Sequence, residues 1–403
     1  MRVLFTVSSW PTHYAAMVPL AWALQAAGHE VTALCSPSQV APLSATGIVP
    51  VPVLDDWEVN VRLRLQYYEE AVNGHWPYPW LPLHPVTGAP LKSLDDFDRT
   101  EFELRHAPVY AERTAKGFDA GVAFARAWQP DLVLHDPASF EGILIAELLD
   151  RPAVLCLWGP VGTHEPAHMS IVPQDHSKSF PRYGLKPFTP DMIRTVIDPC
   201  PAAIAPPTPA DRLPMQYVPY NGCAPMPGWL LKPPDRPRVC IAWSTALTAT
   251  AGARSYLLPE LVRATHDLDV DVVLTATAED VAALGPVPAS VRVVERLPLR
   301  LLLPSCAAVV HHGGSGSTLT SLWAGVPQLL PTFASEQTVT ASRVAANGAA
   351  VHMLGHEANA ASVRAALERL LSDDSYRAAA GRLRTQMRSQ PTPADLVATL
   401  EKL

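Results

Sequence analysis

The stretch Val309-Val310-His311-His312-Gly313-Gly314-Ser315-Gly316-Ser317-Thr318 decides the fold of this chain. An apolar run ends in two histidines, breaks into a Gly/Ser turn and continues into a helix-forming segment, Leu319–Ala324. The pattern predicts a buried strand, a tight turn and a helix N-terminus, where free N–H groups and the helix dipole suit a diphosphate. The two histidines can donate hydrogen bonds to the same anion. The plainer alternative is a strand–turn–helix whose glycines only serve the turn.

This turn is not one of the two common nucleotide-binding loops. Gly-x-Gly-x-x-Gly does not fit it, and no Gly-Lys-Ser/Thr follows it. Both absences argue against NAD-dependent enzymes and ATPases.

Length and composition indicate a globular protein of two domains. A chain of 403 residues exceeds one compact core, and a hydrophobic content of 48% with 17% charged residues argues against disorder. The net charge of -7 argues against nucleic acid as a partner. The 42 prolines predict long loops with a restricted backbone.

The cysteines and the hydropathy pattern indicate the compartment. Six scattered cysteines form no Cys-x-x-Cys pair, so we expect buried free thiols in a reducing environment. The first residues enter a strand without a signal-peptide pattern, and no apolar run approaches about 18 residues. We therefore expect a cytoplasmic protein with no membrane partner.

Strands and helices alternate in two blocks, which predicts two facing, Rossmann-like α/β domains with a cleft between them. The first block begins with a strand at Val3–Val7, and the pattern restarts at Arg238–Trp243. We predict an N-terminal domain over residues 1–212, a linker over 213–237 and a C-terminal domain over 238–388. Residues 389–403 form a final helix.

Residues 56–105 interrupt the alternation of the first block with aromatics and prolines. An insertion of this length is more often functional than idle. Its aromatic residues either line an apolar pocket or form a contact surface. An equally weighted alternative is a lid that covers the sheet edge.

Polar residues just after predicted strands are candidates for chemistry, because ligands bind beyond the C-terminal ends of parallel strands. His13 follows the first strand and Asp136 ends a later one. Together they suit a general base whose tautomer is held by a carboxylate. Taken singly, each is more often a cap or turn residue. Ser244 and Thr245 end the first strand of the second block.

Two acidic segments have plain structural explanations. Glu336-Gln337 follows a strand and can bracket sugar hydroxyls, but the residues alone favour a glutamate at a helix N-terminus. Asp95-Asp96-Phe97-Asp98 lies away from any buried strand end, so we interpret it as a solvated surface. No His, Cys, Asp or Glu set has zinc spacing, and we expect no metal.

The motifs together resemble the GT-B glycosyltransferases of the UDP-glucuronosyltransferase-like family. The similarity is greatest to the actinobacterial branch that attaches deoxysugars to polyketides such as macrolides and anthracyclines. It extends over most of the chain and is carried by Pro11–His13, Met17–Leu24, Ala27–Val31, Leu157–Pro160, Asp198–Pro201, Tyr217–Gly222, Leu297–Gln328 and Pro391–Leu403.

The resemblance implies an inverting, metal-independent transfer from a dTDP-deoxysugar to a hydroxyl of a hydrophobic polyketide aglycone, without a cofactor. It implies that His13 is the general base, that Asp136 is its partner, and that the final helix crosses back to the first domain. The substrate contacts expected on this basis are, for the diphosphate, His312, Gly313, Gly314, Ser315, Gly316, Ser317, Ser244 and Thr245; for the nucleobase, Arg296 and Leu297; for the donor sugar, Glu336 and Gln337; and for the acceptor, Trp76, Tyr78, Trp80 and Trp158.

The chain departs from the family pattern at two positions. Glu336 stands where the family usually has Asp, and the longer side chain changes which sugar hydroxyls are within reach. Ser317 replaces a common Thr but keeps the hydroxyl. Some branch members need a cytochrome-P450-like helper protein, for which the 56–105 segment is a candidate docking surface, and a homodimer is a further candidate assembly.

Two alternative functions are compatible with this fold. A nucleotide-sugar epimerase or hydrolase needs no acceptor pocket, so the aromatic insertion argues against it. A non-catalytic partner of another transferase is expected to lack the base or the diphosphate turn, whereas both candidates are present. Fold alone does not decide between them.

Overall fold

Short apolar runs form the strands of two parallel sheets. The structure is a computed structural model, and it describes residues 1–55, 59–243 and 246–403. The strands of the first sheet are β1 (Arg2–Thr6), β2 (Glu30–Cys35), β3 (Val49–Pro52), β4 (Leu132–His135), β5 (Ala153–Cys156), β6 (Thr195–Asp198) and β7 (Asp211–Pro214). Those of the second sheet are β8 (Arg238–Ala242), β9 (Asp271–Ala276), β10 (Val291–Glu295), β11 (Ala308–His311), β12 (Gln328–Thr332) and β13 (Ala350–Leu354).

Helices connect these strands and cover both faces of the sheets. In the first domain they are α1 (Pro11–Tyr14), α2 (Val18–Ala26), α3 (Val40–Ser44), α4 (Val59–Val72), α5 (Arg99–Glu101), α6 (Ala107–Trp128), α7 (Glu141–Leu149) and α8 (Ser179–Arg182). In the second part of the chain they are α9 (Ala246–Ala251), α10 (Leu258–Ala264), α11 (Ala278–Leu284), α12 (Leu299–Leu302), α13 (Ser315–Ala324), α14 (Ser335–Ala346), α15 (Ala360–Ser372), α16 (Asp374–Arg388) and α17 (Pro393–Leu400).

Both sheets have the doubly wound strand order. Over the described residues the orders are β3-β2-β1-β4-β5-β6-β7 and β10-β9-β8-β11-β12-β13, with every strand pair parallel. The order reverses beside β1 in the first sheet and beside β8 in the second. Such reversals open a crevice at the carboxyl ends of the strands, where ligands bind. The predicted pair of Rossmann-like domains is confirmed.

The sequence analysis did not predict several of these elements. Helix α4 lies inside the aromatic insertion, and β6 and β7 form within the proline-rich residues 160–235. The insertion also includes residues 56–58, which lie outside the described part of the chain. Strands of only four residues, flanked by prolines, carry too weak an alternation to be recognised. β7 ends at Pro214, two positions into the predicted linker.

The last helix packs on the first domain although it follows the second in sequence. Leu396, Val397 and Leu400 of α17 are buried in the core cluster of the first sheet, beside α2. Burying an aliphatic side chain of this size contributes about 1.5–3 kcal/mol. The chain therefore ends by joining its two domains.

The cysteines differ from the expectation at one position. Five of the six cysteines are buried free thiols, but Cys223 is an exposed one, because it lies in the crossing between the domains rather than in a strand. Within the described residues, no helix combines the length and apolar character needed to cross a membrane.

Candidate active site

The turn after β11 has the geometry of an anion-binding site. Gly313 adopts φ +86°, and a Cβ there would lie 3.1 Å from the Thr332 methyl, so only glycine fits without strain. Helix α13 begins at Ser315, and the N–H groups of its first three residues have no partner within the helix. They point, with the positive end of the helix dipole, toward the cleft. The diphosphate role of this turn stays a prediction.

The two histidines of the turn have different environments. His311 is fully buried: its Nδ1 accepts the Gly313 N–H at 3.1 Å, so Nε2 carries the proton and donates to Gln328 at 2.8 Å. His312 has a buried Nδ1 with no hydrogen-bond partner among the described residues. Burial lowers the pKa of His312 to about 4, so its ring is neutral. The idea that both histidines contact one anion is therefore wrong, because both His311 nitrogens are occupied.

Three further donor-side predictions have different outcomes. Ser244 and Thr245 lie outside the described residues. Leu297 follows β10, and its side chain is buried in a core cluster of the second domain beside Leu302 and Leu303. Arg296 beside it is exposed and has φ +47°, a conformation that turns the chain sharply after the strand. The nucleobase role of Leu297 and Arg296 stays a prediction.

Glu336 and Gln337 lie at the first turn of α14, beside the anion-binding turn. Glu336 accepts the Trp158 indole N–H at 2.9 Å and the Ser315 hydroxyl at 3.3 Å. Burial raises its pKa, and both hydrogen bonds oppose that rise. Gln337 accepts the Phe333 N–H at 3.0 Å. The pair therefore continues the polar lining that begins at the turn.

Trp158 connects the two halves of the site. Its ring stacks on His13, with centroids 3.9 Å apart and planes inclined by 21°, while its N–H reaches Glu336. The next residue, Gly159, lies so close to Ser315 that any Cβ would overlap it. The loop after β5 thus brings His13 of the first domain next to the predicted sugar site of the second.

His13 and Asp136 lie at the carboxyl ends of β1 and β4, as predicted, but Ser8 stands between them. The Ser8 hydroxyl is 3.0 Å from His13 Nδ1, and the Ser8 N–H donates to Asp136 at 2.7 Å. Burial, and to a smaller extent the nearby Arg62 cation, lower the pKa of His13 to about 3. Burial raises the pKa of Asp136 to about 6, opposed by hydrogen bonds from Ser8 and Ala138 and by Arg62. At neutral pH this is a neutral imidazole near a carboxylate.

Helix α4 adds cleft residues that the sequence reading missed. Arg62, Gln66 and Glu70 are spaced by four and so share one helix face. Arg62 lies near Asp136 and His13, whereas Glu70 is buried and accepts the Ser335 hydroxyl of the second domain at 2.6 Å. The helical spacing was the available signal, but aromatics and prolines on either side obscured it.

Comparisons with known proteins agree with this geometry. Residues 107–244 match the N-terminal domain, and residues 259–403 the C-terminal domain, of the family described as erythromycin biosynthesis protein CIII-like. Aklavinone 7-beta-L-rhodosaminyltransferase of Streptomyces galilaeus is 35% identical over 100% of this chain and 96% of its own length. The chain belongs to this family of glycosyltransferases.

A second relative and a solved structure extend the comparison. 10-Deoxymethynolide desosaminyltransferase of Streptomyces venezuelae is 33% identical, with 100% of this chain and 97% of that protein aligned. The crystal structure of glycosyltransferase VinC in complex with dTDP is 30% identical, has a TM-score of 0.76, and covers 100% of this chain and 99% of its own. This transferase therefore has the GT-B fold, as the resemblance implied.

The aromatic insertion of this transferase reaches across to the second domain. Tyr78 is buried, and its hydroxyl donates to the Thr332 carbonyl at 3.0 Å. Trp80 stacks on Tyr78 and packs against the core cluster of the second domain that includes Val239 and Phe333, while the Trp76 indole N–H donates to the Trp80 carbonyl. These rings hold the insertion against the donor side of the cleft. Their predicted role in acceptor binding stays a prediction.

An ion pair also joins the two domains of this transferase. Arg343 of α14 binds both carboxylate oxygens of Glu165, at 2.7 and 3.0 Å, and donates to the Pro160 carbonyl. The Glu165 side chain is only 3% exposed. Such a bidentate contact fixes orientation as well as distance.

The acidic run in the insertion has a structural role. Asp96 accepts the backbone N–H groups of Lys92 and Ser93, and Asp98 caps α5 by accepting the Glu101 N–H. Across the described residues, no group of three or more His, Cys, Asp or Glu side chains is arranged to hold a metal.

Proposed function

We propose that this transferase moves a deoxysugar from a dTDP-sugar to a hydroxyl of a polyketide-type aglycone, with inversion and with His13 as general base. The proposal depends above all on Trp158, which stacks on His13 and hydrogen-bonds Glu336. Through this residue the candidate base and the candidate sugar site are neighbours. Support for the substrates comes from relatives named as transferases acting on aklavinone and 10-deoxymethynolide, and from the VinC complex with dTDP.

The reaction assigns a role to each side of the cleft. The acceptor hydroxyl gives its proton to Nε2 of His13 while its oxygen attacks the anomeric carbon. The bond between that carbon and the diphosphate oxygen breaks, and dTDP leaves with the electron pair on the opposite face. Its growing negative charge is stabilised by the N-terminus of α13 and by His312. These groups make a metal ion unnecessary.

The neutral state of His13 fits this role, although its pKa of about 3 makes it a weak base in the free protein. The imidazolium that forms during transfer is stabilised by the Asp136 carboxylate, which carries a full charge above a pKa of about 6. Glu336 and Gln337 hold the sugar in this scheme, and Arg296 and Leu297 border the base.

Thermal unfolding with dTDP, UDP, GDP and NAD tests the donor assignment. A nucleotide present at about 100 times its dissociation constant stabilises the fold by about 2.7 kcal/mol. We expect the largest shift with dTDP and none with NAD. A larger shift with UDP would change the donor class, and no shift with any nucleotide would exclude the turn after β11 as a diphosphate site.

Replacing His13 with alanine tests the chemistry. We expect the rate of dTDP release from a dTDP-deoxysugar, in the presence of aklavinone or 10-deoxymethynolide, to fall by roughly 10²–10⁴-fold. The affinity for dTDP should not change. The control is His266→Ala, an exposed histidine of the second domain. Equal losses of rate and dTDP affinity would make His13 structural, and dTDP release without any acceptor would favour a hydrolase.

A further inference from the structure

The segment Tyr217–Gly222 of the linker places two side chains against α13, the helix that begins at the candidate diphosphate site. The Tyr217 hydroxyl lies 3.1 Å from the Thr320 hydroxyl oxygen and donates to the Gly316 carbonyl at 3.3 Å. The Asn221 amide donates to the Thr320 hydroxyl at 3.1 Å. Thr320 is fully buried and Tyr217 is 2% exposed, so solvent does not compete for these hydrogen bonds.

The hydroxyl of Thr320 has a defined direction in this network. Its oxygen lies 2.7 Å from the Gly316 carbonyl oxygen, a separation that requires a proton between the two atoms, and only the hydroxyl carries one. Thr320 therefore donates to Gly316 and offers lone pairs to its other neighbours. The Arg300 N–H donates to the Asn221 side-chain oxygen at 3.1 Å, which turns the amide nitrogen toward Thr320.

The remaining hydrogen bond of the network is donated by Tyr217. Burial raises the pKa of its hydroxyl to about 12, so the group keeps its proton at neutral pH. Because the single Thr320 proton is already given to Gly316, the Tyr217 proton is shared between the Thr320 oxygen and the Gly316 carbonyl. The Gly316 carbonyl thus accepts hydrogen bonds from two side chains in addition to its bond within the helix.

The Gly316 carbonyl belongs to the same peptide group as the Ser317 N–H. Ser317 is the third residue of α13, so its N–H has no partner within the helix and is directed at the candidate diphosphate site. The next N–H, of Thr318, already donates to the Gly314 carbonyl at 3.0 Å. Hydrogen bonds accepted at one end of a peptide group polarise it and strengthen the donor at the other end, by about 10–30% for each bond. The linker therefore acts on an anion-binding N–H from behind.

We propose that Tyr217 is a positioning residue for the donor, which strengthens the Ser317 N–H as a ligand for the diphosphate by hydrogen-bonding the carbonyl of the same peptide group. This inference rests on the proposed function, in which the N-terminus of α13 binds the diphosphate of a dTDP-sugar. Tyr217 does not have to touch the donor. Its ring shares a core cluster with Ile204 of the first domain and Leu319 of α13, so packing holds the hydroxyl in place.

Removing the Tyr217 hydroxyl separates this role from packing. Tyr217→Phe keeps the buried ring in its cluster, and Thr320 keeps its bonds to Gly316 and Asn221. A loosened helix would weaken the binding of every ligand of the second domain. A weaker Ser317 N–H would weaken the binding only of ligands that carry the diphosphate. Thymidine, which is the nucleoside of dTDP without its phosphates, distinguishes the two cases.

Titration calorimetry of the full-length protein with dTDP and with thymidine tests the proposal. A change of about 10–30% in the strength of a charge-assisted hydrogen bond corresponds to a change in Kd of about 2–5-fold. Tyr217→Phe should raise the Kd for dTDP by this factor and leave the Kd for thymidine constant. Thr320→Val removes the closer donor to the Gly316 carbonyl and should raise the Kd for dTDP by about 5–10-fold. Thr320→Ser keeps that hydroxyl and should restore the affinity.

The matched control is Tyr220→Phe, the same substitution in the same linker segment. The Tyr220 ring contacts Trp22 edge-on, with centroids 5.7 Å apart, and its hydroxyl has no hydrogen bond within the described part of the chain. This variant should bind dTDP with the Kd of the unmodified protein. An unchanged Kd for dTDP in Tyr217→Phe would overturn the proposal. Equal increases in Kd for dTDP and thymidine would also overturn it, because the role of the hydroxyl would then be structural.

The same titrations separate this inference from the function on which it rests. If the unmodified protein bound dTDP no more tightly than thymidine, α13 would not be a diphosphate site, and both the inference and the donor assignment would fail. If it bound dTDP more tightly and Tyr217→Phe changed neither Kd, the donor assignment would stand and only the role of Tyr217 would be refuted.

Discussion

Replacing Arg343 with alanine should destabilise the contact between the two domains. The guanidinium binds both oxygens of Glu165, at 2.7 and 3.0 Å, and the Pro160 carbonyl. Its side chain is 25% exposed and that of Glu165 is 3% exposed. The substitution therefore removes a partly hydrated cation and leaves a buried carboxylate without its counter-charge.

The magnitude follows from that burial. Removing one partner of a buried ion pair costs about 3–5 kcal/mol, because the remaining charge is uncompensated. Glu165 keeps the Gly162 N–H at 2.8 Å, and water can enter where Arg343 was, so we expect the lower value. For a domain of this size, a loss of about 3 kcal/mol corresponds to a fall in Tm of roughly 6–12 °C.

Thermal unfolding without ligand measures this effect. The matched control is Arg105→Ala, because Arg105 also pairs with a glutamate, at 3.0 Å, but on an exposed helix surface. Surface pairs of this kind contribute about 0.2–1 kcal/mol. If Arg343→Ala melted within about 2 °C of the control, by the same conversion, the pair would not hold the domains together.

Two further substitutions probe the cleft. Trp158→Phe keeps a ring on His13 but removes the N–H that donates to Glu336. A hydrogen bond to a charged group contributes about 1.5–3 kcal/mol, so we expect kcat for sugar transfer to fall about 10–100-fold with dTDP affinity unchanged. A parallel loss of dTDP affinity would contradict the placement of Trp158 between His13 and Glu336. Burial raises the pKa of Glu70 from 4.5 to about 7, so the folded state binds the proton more tightly and stability falls as pH rises from about 4.5 through about 7. Glu70→Gln should remove this slope and be more stable at pH 8 by on the order of 3 kcal/mol, measured by denaturant unfolding at both pH values; an unchanged slope would mean that Glu70 titrates normally.

The motif after β11 shows which features can be predicted from neighbouring residues alone. The strand, the Gly313 turn and the start of α13 depend on neighbouring residues, because an apolar run, a positive φ and a helix N-terminus are each local features. The hydrogen-bond partners of His311, by contrast, do not all come from neighbouring residues. Its second partner, Gln328, lies 17 positions away on the neighbouring strand, and only sheet formation brings the two together.

The candidate catalytic residues His13 and Asp136 show the same division. The strand-end rule placed His13 and Asp136 at one edge of the first sheet, because β1 and β4 are adjacent and parallel. It did not find Ser8, because a serine in a loop has no pattern that separates it from a turn residue. Helix α4 was missed for a related reason, since its cleft face carries Arg62 and Glu70 rather than an apolar stripe.

The sequence by itself determined the class of the molecule, two parallel α/β domains, and it placed a candidate anion-binding turn, a candidate base and a carboxylate at strand ends. These follow from residue type and spacing, which act over a few residues. The tertiary structure alone decided which groups meet. Trp158 reaches Glu336 across 178 positions, and Ser335 reaches Glu70 across 265. Such contacts depend on how the two domains pack against each other, and no local sequence pattern encodes contacts between residues so far apart in the chain.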